Sequence, residues 1–189
     1  MTQELTAQDR AILLKIARDA ISAKARREAL PDIQTYPLSP ALLKEGASFV
    51  TLSKEGHLRG CIGSLEASQS LAQDVQDHAI QAAFDDPRFP SLQAEELPHI
   101  HIEISHISPL QVLTYKKPKD LAKALKPHQD GVILKTGYRR ATFLPQVWEQ
   151  LPKPEDFLGH LCQKMGMSAD FWKTSLMEVL TYTVEAFEE

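Results

Sequence analysis

The stretch HLRGCIGSLEA, residues 57–67, places Cys61 two residues after Arg59 and between Gly60 and Gly63. In an extended chain alternate side chains share a face about 7 Å apart, so His57, Arg59 and Cys61 are expected to point together. A guanidinium at that reach favours the thiolate, the form of cysteine that serves as a nucleophile or redox thiol, and it can also bind an anionic group. Gly60 and Gly63 lack Cβ atoms, let a ligand or a neighbouring backbone approach closely, and permit a β-bulge, which would reverse the parity. The competing assignment is a cysteine packed as a small apolar residue, with Arg59 in a structural ion pair.

Other residues compete for a role. Asp86 and Arg88 in DDPRF, residues 85–89, can present polar groups on a loop or simply hold a turn that stops a helix. On HIHIEIS, His101 and Glu103 fall on one strand face and can form an acid and base pair, or be the polar side of a half-solvated sheet. Arg139 and Arg140 beside Thr142 can hold an anion or mark a charged hairpin tip. The seven histidines are scattered, and His99 with His101 is the one close chelating pair, half of a tetrahedral site, so no metal is expected. No GxGxxG or P-loop occurs, and no cofactor is expected.

Those residues need elements to position them. Thr6 with Asp9 forms a capping box, and Ile12, Leu13, Ile16, Ala17, Ala20 and Ile21 recur on one face, which predicts a helix over 6–27. LPDIQTYPLSP is an irregular connection. ASFVTLS and HLRGCIGSL flank KEG as a hairpin, with Gly56 taking positive φ. Ser68 is expected to cap a second helix carrying Leu71, Val75, Ala79 and Ala82. A strand follows at HIHIEISHI, then a hairpin about Gly137, a short helix opened by Pro145, a helix over 155–165 ended by Gly166, and one long terminal strand in LMEVLTYTVEAFEE. Hairpins separated by helices argue for an α+β fold with a mostly antiparallel sheet flanked by helices.

The chain has 189 residues, net charge −4 and a 43% hydrophobic share, the profile of an ordinary globular protein. That balance argues against nucleic-acid partners; Lys24-Ala25-Arg26-Arg27 reads as a solvated helix end. Two cysteines without a CxxC motif suit a reducing cytoplasm. No apolar run approaches the ~20 residues of a membrane span, so no membrane association is expected.

LRGCIG at residues 58–63 resembles the six-residue signature of the AMMECR-one domain family, whose prokaryotic members are called AmmeMemoRadiSam system protein A. AAFDDPRFPSL at 82–92, IEIS at 102–105, DGVIL at 130–134, ATFLPQVW at 141–148 and FLGHLCQKMGM at 157–167, with Trp172 beyond, follow in the same order. Ser64 stands where threonine is frequent and keeps the hydroxyl. The resemblance implies one AMMECR-one-type domain over residues 1–189, with a larger lobe from the N- and C-terminal parts and a smaller lobe from the middle. It also implies Memo-like and radical S-adenosylmethionine (radical SAM) proteins as partners, but supplies no reaction. Two functions follow as expectations. One is a cleft around LRGCIG that binds an anionic small molecule or modified residue, with Cys61 as the reacting thiol. The other is a non-catalytic accessory protein that presents this cleft to such a partner.

Overall fold

The computed structural model describes residues 5–189. In chain order the elements are α1 (Ala7–Ala25), α2 (Pro40–Leu43), β1 (Glu45–Lys54), β2 (His57–Gly63), β3 (Gln69–Ser70), α3 (Leu71–Phe84), β4 (Ile100–Ile107) and β5 (Gln111–Val112). They continue with α4 (Leu121–Ala124), β6 (Gly131–Thr136), β7 (Arg139–Phe143), α5 (Pro154–Lys164), α6 (Phe171–Thr174), β8 (Glu178–Tyr182) and β9 (Val184–Glu188). The chain divides into two units, residues 5–108 with Glu185–Glu189, and Pro109–Val184. The fold is α+β with antiparallel sheets flanked by helices, and the N- and C-terminal parts share the larger unit, as the resemblance implies.

In the larger unit the sheet runs β2-β1-β4-β9, with β3 added to the start of β1. Thr6 accepts the Asp9 amide at 3.1 Å while Asp9 accepts the Thr6 amide at 2.9 Å, the reciprocal cap that starts α1. Leu13, Ile16 and Ile21 of α1 and Leu71, Val75 and Ala79 of α3 close over Val50, Leu52, Ile102 and Ile104 of the sheet. Each fully buried Leu or Ile in that core contributes roughly 1.5–3 kcal/mol. Phe49, Thr51 and Glu103 lie on the outer face of the sheet, the side turned away from these helices.

Three local features differ from or refine the sequence reading. The β1–β2 turn uses Glu55 at φ 52° and Gly56 at φ 77°, the two positive values of a type I′ hairpin. Ser70, not Ser68, caps α3, accepting the Gln73 amide at 3.3 Å, because Gln69 and Ser70 first pair with β1. The terminal stretch is two strands rather than one: β8 belongs to the smaller unit's sheet and β9 to the larger unit's, with Thr183 between them. Its β-branched and aromatic residues suit either sheet, so composition does not reveal the break.

The smaller unit has a sheet in the order β5-β8-β6-β7. Trp148 stacks on Phe157 with centroids 3.8 Å apart, and Phe143 meets Phe157 edge-on at 5.3 Å. Cys162 lies wholly buried in this core, and burial pushes its thiol up from the ordinary value. Arg139 donates to the carbonyls of Met165 and Gly166 at 3.2 and 2.9 Å, so its charge is used at the C-terminal end of α5 rather than on an anionic ligand.

Candidate functional site

The position of Cys61 is decided by one extra residue. From the turn, Lys54 pairs with His57 and Ser53 with Leu58; beyond a bulge, Leu52 pairs with Gly60 and Thr51 with Cys61, which leaves Arg59 as the unpaired insertion. Side chains alternate across a strand, so this insertion reverses the parity of everything after it. Had the first register continued, Cys61 would oppose Val50 and enter the core. It opposes Thr51 instead and sits half-buried on the outer face.

The expectation that Arg59 and Cys61 share a face is therefore corrected. Arg59 keeps the parity of His57, on the side of Lys54, and both cations converge on Glu96. Its Nε and Nη2 each donate to a Glu96 oxygen at 3.0 Å, and Nη2 also donates to the Pro90 carbonyl at 2.9 Å. The guanidinium is buried, with Nε and Nη2 spent on this fork and Nη1 enclosed without a hydrogen-bond partner, so it is turned into the protein and not towards an anionic ligand beside Cys61. The hydrogen bonds from Arg59 hold Glu96 at about 2, well below the usual carboxylate range.

A different arginine stands beside Cys61. β2 is an edge strand, and the backbone of Cys61 faces outward: its amide donates to Asp86 at 2.9 Å and its carbonyl accepts from Arg88 Nη2 at 3.3 Å. The DDPRF loop thus caps an otherwise open edge. Asp86 is 3% exposed, yet it accepts from the Arg88 amide at 3.1 Å, from Nε at 3.0 Å and from Nη2 at 2.7 Å. These bonds from Arg88 hold its carboxyl far below the ordinary value. Arg88 leaves 55% of its side chain exposed, so the pair turns its cationic end to solvent beside the Cys61 carbonyl.

The outward-facing backbone of Cys61 makes Thr51–Cys61 a non-hydrogen-bonded pair, the narrower kind, in which side chains approach closely. The Thr51 hydroxyl lies 3.3 Å from the Cys61 sulfur. Thr51 also stands opposite Glu103 on β4, which sets Cys61, Thr51 and Glu103 in one row across three strands. Glu103 makes no hydrogen bond or ion pair among the described residues, and it is half-buried. The expected His101–Glu103 pair is not formed: His101 Nε2 lies 3.0 Å from Glu188 Oε2 at an exposed position.

The glycines serve packing rather than a ligand. A Cβ on Gly60 would come within 2.0 Å of the Ala82 carbonyl oxygen, so α3 lies directly on the strand there; one on Gly63 would meet Phe49 at 2.4 Å. A groove of about 590 Å³ in this unit lies between α1 and residues 31–37, lined by Ile12, Lys15, Asp19 and Tyr36 among others and by none of residues 57–63. Cys61 therefore lies on a sheet face and not in that groove. Among the described residues no three His, Cys, Asp or Glu side chains are grouped to hold a metal ion.

Sequence reasoning missed Thr51 and Glu96. Thr51 is recoverable from the hairpin register only once the bulge is known, and Glu96, 37 residues from Arg59, gives no local signal.

Comparison with known proteins places these residues in a family. The AMMECR1 family model matches residues 14–187. Protein MK0488 of Methanopyrus kandleri is 32% identical over an alignment covering 100% of this chain and 92% of its own length. A protein of Methanothermobacter thermautotrophicus is 35% identical, covering 94% of this chain and 92% of its own. The crystal structure of PH0010 from Pyrococcus horikoshii superposes with a TM-score of 0.81 at 31% identity, covering 94% of this chain and 89% of that one. With the matched stretch holding the bulged strand, its capping loop and the middle unit, the chain belongs to the AMMECR1 family.

Proposed function

We propose that this AMMECR1-family protein carries a reactive thiol site on the outer face of the larger unit. Cys61 is its nucleophile or redox thiol, and Arg88 holds the anionic group of a small molecule or modified residue. The observation that carries the reading is a half-buried Cys61 whose carbonyl accepts from the Arg88 guanidinium, which Asp86 fixes there with its cationic end in solvent. A fixed guanidinium that reaches solvent can hold an anionic group next to Cys61. Two free cysteines accord with a reducing cytoplasm, where we place the protein.

Brief iodoacetamide treatment of the native protein, followed by peptide mass spectrometry, tests this. Cys61 is expected to be alkylated while Cys162, sealed in its core, is not. Equal and sluggish modification of both would remove the thiol from any chemical role.

A second reading draws on Leu58, 45% exposed on the same outer face as Ser53. There the face docks a Memo-like or radical SAM partner without reacting. Co-purification that survives Cys61→Ser but is lost with Leu58→Asp favours it over the first.

A further inference from the structure

The row across β2, β1 and β4 ends in opposite charges. At one end the Asp86–Arg88 fork consumes Nε and Nη2 of Arg88 and leaves the cation facing solvent. At the other, Glu103 is half-buried with no hydrogen-bonding or charged partner among the described residues. Between them lie the Cys61 sulfur and the Thr51 hydroxyl, 3.3 Å apart. Strand spacing of about 4.8 Å puts Cys61 and Glu103, two strands apart, on the order of 10 Å from each other. An arginine stabilises an anion, and a half-buried carboxylate without a partner is best satisfied by a donor that carries positive charge.

We infer that the Cys61 site takes a dipolar small molecule, its anionic group at Arg88 and a cationic amine at Glu103, so that its middle lies over the thiol. The inference rests on Cys61 being the reacting group of this face and adds the class of molecule it receives. Glu103 touches the ligand in this account and sets which charge is accepted at that end. A purely anionic molecule would leave Glu103 unpaired and facing like charge, and a purely cationic one would meet Arg88.

Methanethiosulfonate reagents of three charges test it, because all react alike: the Cys61 thiolate displaces methanesulfinate and forms a mixed disulfide. Their rates at Cys61 are compared in the native protein and in Glu103→Gln, which keeps shape and removes charge. The trimethylammonium-ethyl reagent is expected to slow about fivefold relative to the neutral methyl reagent in Glu103→Gln, while the sulfonatoethyl reagent does not slow. In a second arm 6-aminohexanoate is expected to protect Cys61 from the neutral reagent better than hexanoate or hexylamine at equal concentration, and Glu103→Gln abolishes that advantage. Failure of the neutral reagent to reach Cys61 overturns the thiol site itself. Ready reaction with the neutral reagent, but no change in charge preference in Glu103→Gln or no advantage for 6-aminohexanoate, overturns the dipolar ligand alone.

Discussion

Thr51 faces Cys61 directly across the β1–β2 ladder, its hydroxyl 3.3 Å from the sulfur, and this pairing exists only because Arg59 is a bulge. One inserted residue sends the cysteine to the outer face and leaves the arginine on the other. The two functions that HLRGCIG suggested for one surface are thereby separated: Arg59 holds structure, and Cys61 is presented beside Arg88.

Arg59 is expected to matter for stability and not for reactivity. Arg59→Leu leaves the Pro90 carbonyl without its partner and Glu96 with Lys54 as its remaining cation, and loss of the charged hydrogen bonds costs about 1.5–3 kcal/mol. Urea denaturation should show that loss. Arg59→Leu combined with Glu96→Leu should recover much of it, whereas a double variant no more stable than the single one would argue against the pair.

Gly60→Ala should destabilise the larger unit by about 2–4 kcal/mol, since the new methyl would lie 2.0 Å from a backbone oxygen of α3 that cannot yield cheaply. Gly56→Ala, in open space but at φ 77°, should cost only about 1 kcal/mol. Equal losses at the two positions would contradict the close approach of α3 to β2.

The Glu96 pair gives stability a defined acid limit. Its carboxyl falls from 4.5 to about 2 on folding, so the contribution is complete above pH 4.5 and disappears as the pH drops from there towards about 2. Asp86, lowered by Arg88, acts in the same direction. Urea midpoints measured through this window should fall less steeply for Glu96→Gln than for the native protein. Parallel curves would show that Glu96 titrates alike folded and unfolded.

His106 behaves in the opposite chemical sense with the same pH trend. Burial pushes it below 6.5, while the charges of Glu185 and Asp74 oppose that shift. The folded state favours the neutral ring, so its contribution is full above pH 6.5 and is lost as the pH falls below that value. An imidazole NMR titration should place the His106 midpoint under 6.5, and Glu185→Gln should lower it further. A midpoint above 6.5 would contradict the burial argument.

Much of the framework was legible in local chemistry. The Thr6–Asp9 box, the Gly56 turn, the Gly166 stop and the alternation of Ile100, Ile102 and Ile104 each follow from a residue's own backbone or packing preference, and each is found. The site was less legible because its decisive relations are not local. The bulge flips parity without any unique residue to announce it, since Gly60 permits a bulge but also simply admits α3. Glu96 captures Arg59, and Glu188 captures His101, from 37 and 87 residues away, distances over which spacing carries no information. Asp86 and Arg88 were visible as a loop pair, but their attachment to the backbone of Cys61 depends on β2 being an edge strand.

With Cys61 as the proposed reacting thiol, Arg88 and not Arg59 is expected to set its reactivity. The most direct test is the rate of Cys61 alkylation by iodoacetate in three native-state proteins: the unaltered chain, Asp86→Asn/Arg88→Gln, which removes both charges but keeps an acceptor for the Cys61 amide, and Arg59→Leu. A slowing of about fivefold or more is expected in the Asp86/Arg88 variant, and a rate within about twofold of the unaltered protein in Arg59→Leu. A slowing confined to Arg59→Leu, or no slowing in either variant, would contradict that role of Arg88.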